Sequence, residues 1–205
     1  ILVLLPYFHH LYQDFSQSMF LHVLGVIGSY GVAIPVFVVT IIGGLALVYR
    51  SGMRWAVPSI LMALGLWGWT FGGMGALLDS TITVNQVMHN TQWVVGHFHT
   101  YYLMGSVAFT LAYMYHLITE LSNRNESGIS RMAAWLYGLG SAGFLLMFFL
   151  SGANSVPRRY ATYLPEWNTY PTVAVVFVLI LSVGLLILTL EMLGRLKGAW
   201  QGTSG

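Results

Sequence analysis

Five apolar runs constrain this chain more than anything else in it. They lie at about residues 17–49, 55–78, 91–120, 131–153 and 170–194. A helix crosses the hydrocarbon core of a bilayer in about 20 residues, so each run is long enough to span. Composition agrees: 57% of residues are hydrophobic and only 7% are charged, against about 25% charged in a soluble domain. The expected fold is an all-α, polytopic transmembrane bundle of about five full spans in one membrane domain, residues 1–205. Residues 1–15 are expected to be the end of a truncated or split helix, because "ILVLLPYF" gives less than half a span before His9 and His10. The stretches "YRSGMRW", "LDSTITVNQ", "LSNRNESGIS" and "VPRRYATYLPEWNTYP" read as the connections. There is no cysteine, which excludes disulfides, thiolate chemistry and cysteine-held iron–sulfur clusters.

Basic residues set the orientation. Arg50, Arg54, Arg124, Arg131, Arg195 and Lys197, six of the eight Lys and Arg, fall at one end of the predicted spans. The positive-inside rule puts that end in the cytoplasm. His9, His10, His89 and the Arg158–Arg159 pair then face the outer side.

Ionisable residues inside a span point to function, and "VVGHFHTYYLMG" carries two. Residues two apart on a helix are separated by about 200°. His97 and His99 therefore serve different neighbours. Each can ligate a separate haem iron, with Phe98 between, or each can hydrogen-bond to an adjacent helix. His9 and His10 are either a ligand pair for copper, zinc or iron or two interfacial side chains. Arg158 and Arg159 are either a solvated loop or a clamp for carboxylates such as haem propionates. His89 and Asn90 can add polar contacts there. His22 and His116 read as interfacial, and Trp55 and Trp167 as part of the aromatic belt.

Four motifs, "FHHLYQD", "VAIPVFVVT", "VMHNTQWVVGHFHTYYLMG" and "NSVPRRYATYLPE", resemble subunit I of the haem–copper oxygen reductases in order and spacing. The resemblance runs from the end of that family's seventh helix through its twelfth. "HNT", "GHFH" and "SVPRRY" are most similar to its B-type branch. It implies that His9 and His10 are two of the three ligands of the active-site copper, CuB. It implies that His97 is the axial ligand of the high-spin haem and His99 one of two axial ligands of the low-spin haem. Phe98 would lie between the haems, Arg158 and Arg159 on the propionates, and His89, Asn90 and Asn85 in the propionate region on the proton-exit side.

The third copper histidine, its crosslinked tyrosine and the second low-spin haem ligand would lie upstream of residue 1. Val39 stands where the A-type branch has a channel lysine, four residues after Pro35. A proton route through Ser29, Tyr30 and Thr40 is expected instead. Asn85 stands where B-type enzymes can carry a carboxylate. The implied activity is reduction of O2 to water by a respiratory terminal oxidase, coupled to proton translocation. The implied cofactors are two haems and copper. Implied partners are the N-terminal half of subunit I (in the same or a separate chain), subunit II, and a cytochrome c-like, cupredoxin or quinol donor, in the lipid of a prokaryotic cytoplasmic membrane, with no nucleic acid. The rival readings are a nitric oxide reductase of the same superfamily, a non-catalytic di-haem electron carrier, and a transporter with a histidine proton relay.

Overall fold

A computed structural model describes residues 2–14 and 16–202. The chain opens with a 3-10 segment, Leu2–Leu11, that contains Pro6 and ends on the two histidines. Six helices follow: α1 (Met19–Ser51), α2 (Val57–Ser80), α3 (Ile82–Met88), α4 (residues 92–122), α5 (Gly128–Ala153) and α6 (Thr169–Gly202). No strand occurs among the described residues; the one ladder contact is an isolated bridge between Thr91 and Pro157.

Four helices, α1, α2, α5 and α6, are long and apolar enough to cross a membrane. The expected third span forms in its place as α4 but is not among them. Its length suffices; His97, His99, His116 and a series of tyrosines lower its hydropathy. Two further expectations need correction. "LDSTITVNQ" is not a plain turn, since it holds α3. The last helix does not stop at residue 194 but runs to Gly202, because Arg195 is bound into the α4–α5 connection rather than left to water.

Two helices contain π-helical turns, Val38–Gly43 in α1 and Thr100–Val107 in α4. The second begins one residue after His99. Such turns recur at functional sites because they re-aim the side chains beyond them. Within α4 the Thr100 hydroxyl donates back to the Gly96 carbonyl at 2.7 Å.

The dense core lies at one end of the bundle. It gathers Val57, Ile60 and Leu61 of α2, Leu111 and Tyr115 of α4, Ala133 and Tyr137 of α5, and Leu181 and Leu188 of α6. There α5 and α6 pack at backbone distance. A Cβ on Gly140 would meet the main chain of Leu181, and one on Gly184 the main chain of Tyr137. Close approach of this kind is how helices associate where lipid gives no hydrophobic drive between them.

Connections fix the two ends. At the core end, Arg195 donates from Nη1 to the Arg124 carbonyl at 2.9 Å and from Nη2 to the Asn125 carbonyl at 3.0 Å. Glu126 accepts the Val57 N–H. Ser127 caps α5 by accepting the Ser130 N–H, and Ser130 donates to Glu191 at 2.9 Å. At the opposite end, Gln92 N–H donates to the Val156 carbonyl and Arg158 N–H to the Asn90 carbonyl, both at 2.9 Å. Thr91 caps α4 by accepting the Trp93 N–H. The 154–168 loop is thereby laid over the start of α4, above His97.

Candidate metal centre

Three imidazoles meet in the interior. His9 and His10 come from the 3-10 segment and His97 from α4. One ligand nitrogen from each lies within 4.8 Å of the other two. The His9 and His10 rings are 4.2 Å apart, and His97 stands 6.4 Å from His9 and 6.1 Å from His10. His9 and His97 are buried, at 3% and 4% exposure.

Hydrogen bonds orient the ligand nitrogens. Ser29 donates its hydroxyl proton to the Gly25 carbonyl at 2.7 Å. Its oxygen is therefore the acceptor of the 3.0 Å bond to His9 Nδ1. The proton sits on Nδ1, and Nε2 keeps its lone pair. That Nε2 is buried and has no partner. His97 donates Nδ1–H to the Gly72 carbonyl at 3.0 Å, which likewise leaves Nε2 for a metal. A carbonyl or hydroxyl behind an imidazole is how metal-binding histidines are held in one tautomer. Gly75 leaves the room: a Cβ there would stand 3.0 Å from His97 Nδ1.

His99 projects elsewhere. It donates Nδ1–H to the Val95 carbonyl at 2.8 Å, and its ring lies nearly parallel to Phe148 of α5, 5.8 Å away. Phe98 is 57% exposed, edge-on to His99 and parallel to Tyr102. The bundle thus separates His97 from His99 and joins His97 to a pair some ninety residues earlier in the chain.

Above the three imidazoles is a polar cavity of ≈ 150 Å³, lined by His9, His10, Asn85, His89, Arg158 and Arg159 together with Asp14 and Asp79. His89 is bonded to Asp14 at 3.3 Å. Asn90 is exposed and contributes its carbonyl to Arg158 N–H. Arg158 is half-buried with Nε unpartnered. Burial and the adjacent Arg159 push the Arg158 guanidinium below its ordinary value, while Asp14 and Asp79 pull it up. Arg159 is exposed and takes a left-handed backbone, φ 67°. Asn85 donates Nδ2 to the Asp79 carbonyl at 2.7 Å. Asp14 and Asp79 were not singled out from sequence. The available signal was a charge at residue 79, immediately past an apolar run.

A second, apolar cavity of ≈ 390 Å³ lies between α1 and α2 and reaches His9. Ser29 and Thr40 line it, with Trp69 and Tyr101. Tyr30 does not; its hydroxyl meets Thr81 at 2.8 Å on the exposed side. The three hydroxyls expected on one route therefore do not share one cavity.

A family model described as "Cytochrome C and Quinol oxidase polypeptide I" matches residues 1–187. The chain belongs to this family. Relatives include the cytochrome c oxidase polypeptide 1 of Halobacterium salinarum, 28% identical over 167 residues, and the cytochrome c oxidase subunit 1 of Cereibacter sphaeroides, 29% identical over 171. These alignments take in 80% and 78% of the chain but 28% and 29% of the relatives. The cytochrome c oxidase subunit 1 of Thermus thermophilus is 29% identical over 141 residues, 66% of the chain and 25% of the relative. The fold is shared with a solved haem–copper terminal oxidase dimer: TM-score 0.80 at 22% identity, over 95% of this chain and 40% of that one. The chain is thus a helical membrane protein of the cytochrome c and quinol oxidase polypeptide I family, and it spans about a quarter to a third of the curated relatives it matches.

The donors suit the metals of such a family. Neutral imidazole nitrogen is a ligand for copper and for haem iron alike. The unpartnered His9 Nε2 beside His10 fits a copper ion as it stands. His97 and His99 each have Nδ1 fixed and Nε2 free, the donor state that an axial haem ligand needs. The spacing adds a condition. Three donors within 4.8 Å of one another are set for a single ion, so iron on His97 together with copper on His9 and His10 requires a wider separation than this arrangement has.

Proposed function

We propose that this chain is the C-terminal part of the catalytic subunit of a respiratory terminal oxidase that reduces O2 to water and couples the reaction to proton translocation. One observation supports the reading: His9 and His97, far apart in sequence, are buried with their rings 6.4 Å apart and tilted at 57°, each with Nδ1 held by a hydrogen bond, and His9 Nε2 is buried without a partner.

In this reading His9 and His10 hold CuB, His97 the high-spin haem iron and His99 the low-spin haem iron. The bound metals supply electron transfer and oxygen activation. The protein's own residues do the rest. Ser29 and the Gly72 carbonyl hold two imidazoles in the ligating tautomer. Arg158 and Arg159 offer guanidinium donors to haem propionates, supported by His89 and Asn90. Phe98 lies edge-on to His99 and would stand between the two haem sites. The apolar cavity at His9 keeps that face dry and wide enough for a small apolar gas. Thr40 and Ser29 on its wall, with Tyr30 on the neighbouring face, offer hydroxyls to protons drawn from the cytoplasm. Asn85 marks the exit side.

The core end carries six of the eight Lys and Arg and faces the cytoplasm of a prokaryotic membrane, with the polar cavity toward the outside. The working complex adds the N-terminal half of subunit I, in the same or a separate chain. It also adds subunit II and a cytochrome c, cupredoxin or quinol donor.

Optical spectroscopy and metal analysis of the purified complex test this. The expected result is two haem species, copper, and a reduced complex that binds carbon monoxide. Non-haem iron without copper would instead identify a nitric oxide reductase. Haems that bind no carbon monoxide would identify an electron carrier, and a haem-free complex a transporter.

A further inference from the structure

The turn that follows His99 is held by a side chain from another helix. Tyr137 of α5 is fully buried in the apolar core. Its hydroxyl donates to the Leu103 carbonyl at 2.5 Å. Leu103 lies inside the π-helical turn Thr100–Val107 of α4. Helix α2 packs on the same turn: a Cβ on Gly68 would meet the main chain of Met104 and Gly105.

A π-helical turn is wider than the α-helix on either side of it. Each residue it adds rotates one half of the helix against the other by about 100°. The half before the turn carries His97 and His99. The half after it, Ala108–Ser122, gives Leu111, Ala112, Tyr115 and Ile118 to the core. How the turn is held therefore decides where the imidazoles point once the core is packed.

The two imidazoles depend on it unequally. His97 is tied to another helix, with Nδ1–H on the Gly72 carbonyl of α2. His99 is not: its Nδ1–H goes to the Val95 carbonyl, one turn back on its own helix. The His99 ring thus follows any rotation of α4. Helix α5 restrains it from outside. Phe148 lies nearly parallel to the ring at 5.8 Å, and Tyr137, about three turns away along α5, holds the Leu103 carbonyl. Phenylalanine at residue 137 would fill nearly the same core space but could not make that bond.

Resting on the oxidase reading, we infer that Tyr137 is a positioning residue for the low-spin haem. Through the Leu103 carbonyl its hydroxyl fixes the rotation of α4 at His99, and with it the plane in which that imidazole meets the iron. His97, anchored on α2, is outside its reach.

The test uses the complete oxidase carrying Tyr137→Phe. Tyr115→Phe is the control, because Tyr115 is a second fully buried tyrosine of the same core and its hydroxyl has no partner. One readout is the electron paramagnetic resonance signal of the oxidised low-spin haem, which follows the orientation of its axial imidazoles. The other is the iron–histidine stretch of the reduced high-spin haem. In Tyr137→Phe the low-spin g-values are expected to shift while the iron–histidine stretch keeps its frequency. Replacing Tyr137 with 4-aminophenylalanine, which keeps an N–H donor in the same place, should return the parent g-values. Loss of the low-spin haem alone, reversed by 4-aminophenylalanine, would be the same effect at larger size. Tyr115→Phe should leave both signals alone. Parent g-values in Tyr137→Phe overturn the inference, and so do g-values that stay shifted with 4-aminophenylalanine. An equal shift in Tyr115→Phe, or loss of both haems from Tyr137→Phe, also overturns it and makes the hydroxyl a support of the core. A parent complex without a low-spin haem fails before any substitution; it overturns the oxidase reading and takes this inference with it.

Discussion

The two ends of this bundle solve opposite problems. At the cytoplasmic end in our assignment, charge is closed in on itself. Arg195 uses both terminal nitrogens on loop carbonyls, Glu191 takes Ser127 and Ser130, and Glu126 takes a main-chain N–H. The apolar core packs directly beneath. At the other end, Asp79, Asn85, His9 and Arg158 all keep buried polar atoms without partners, and the polar cavity lies among them. Native interiors satisfy nearly all such atoms. Arg195 Nε, Tyr115 Oη and Thr119 Oγ1 are open at the core end as well, but there they are scattered, whereas the open atoms of the outer end share one polar cavity, which marks where the protein expects another group. One end is closed by its own contacts, and the other keeps the cavity that the proposed function uses.

That division can be broken by substitution. The largest effect is expected for His97→Ala in the complete oxidase: carbon monoxide binding is abolished and the high-spin haem lost, while the helical content by circular dichroism is kept. Full carbon monoxide binding in that variant would remove His97 from the site. Next comes Arg195→Ala at the closed end. It leaves two loop carbonyls without their donor and Glu191 without its cation, at about 2–3 kcal/mol of stability, kept modest because Glu191 retains the two serine hydroxyls and 30% of its side chain is exposed. Thermal unfolding should shift downward with the haem spectrum unaltered; a changed spectrum would show that the two ends are coupled.

Ser29→Ala should be milder. His9 would lose the acceptor that fixes its tautomer, and copper affinity should fall about 10–100-fold, read as faster copper loss to a chelator. Ser29→Thr should restore retention. Equal retention in Ser29→Ala would mean that the hydroxyl does not orient the ligand. The smallest effect is at Arg159, whose φ of 67° costs a non-glycine residue about 1–2 kcal/mol. Arg159→Gly should melt above Arg159→Ala, and a reversed order would mean that the loop does not keep this backbone.

Much of the architecture was legible because lipid imposes a length. The five apolar runs became α1, α2, α4, α5 and α6 with ends moved by a few residues, α6 excepted. It runs on because Arg195 finds its partners in a distant loop, and no local pattern announces that. Helical period was enough to send His97 and His99 to different neighbours. It could not place His97 against His9 and His10, since that contact depends on how the 3-10 segment packs on α1 and α2. Asp79 was missed for a related reason: a charge just past a span reads as the start of a connection until Asn85 and α3 fold back over it.

The helix that carries His97 and His99 is the one of the five long helices that is not apolar enough to cross a membrane by composition alone. Its insertion is therefore expected to be a collective event. α2 must already be present to receive His97 on the Gly72 carbonyl, and α5 must follow to cover His99 with Phe148. On the proposed function, metal loading would come after these helices have met.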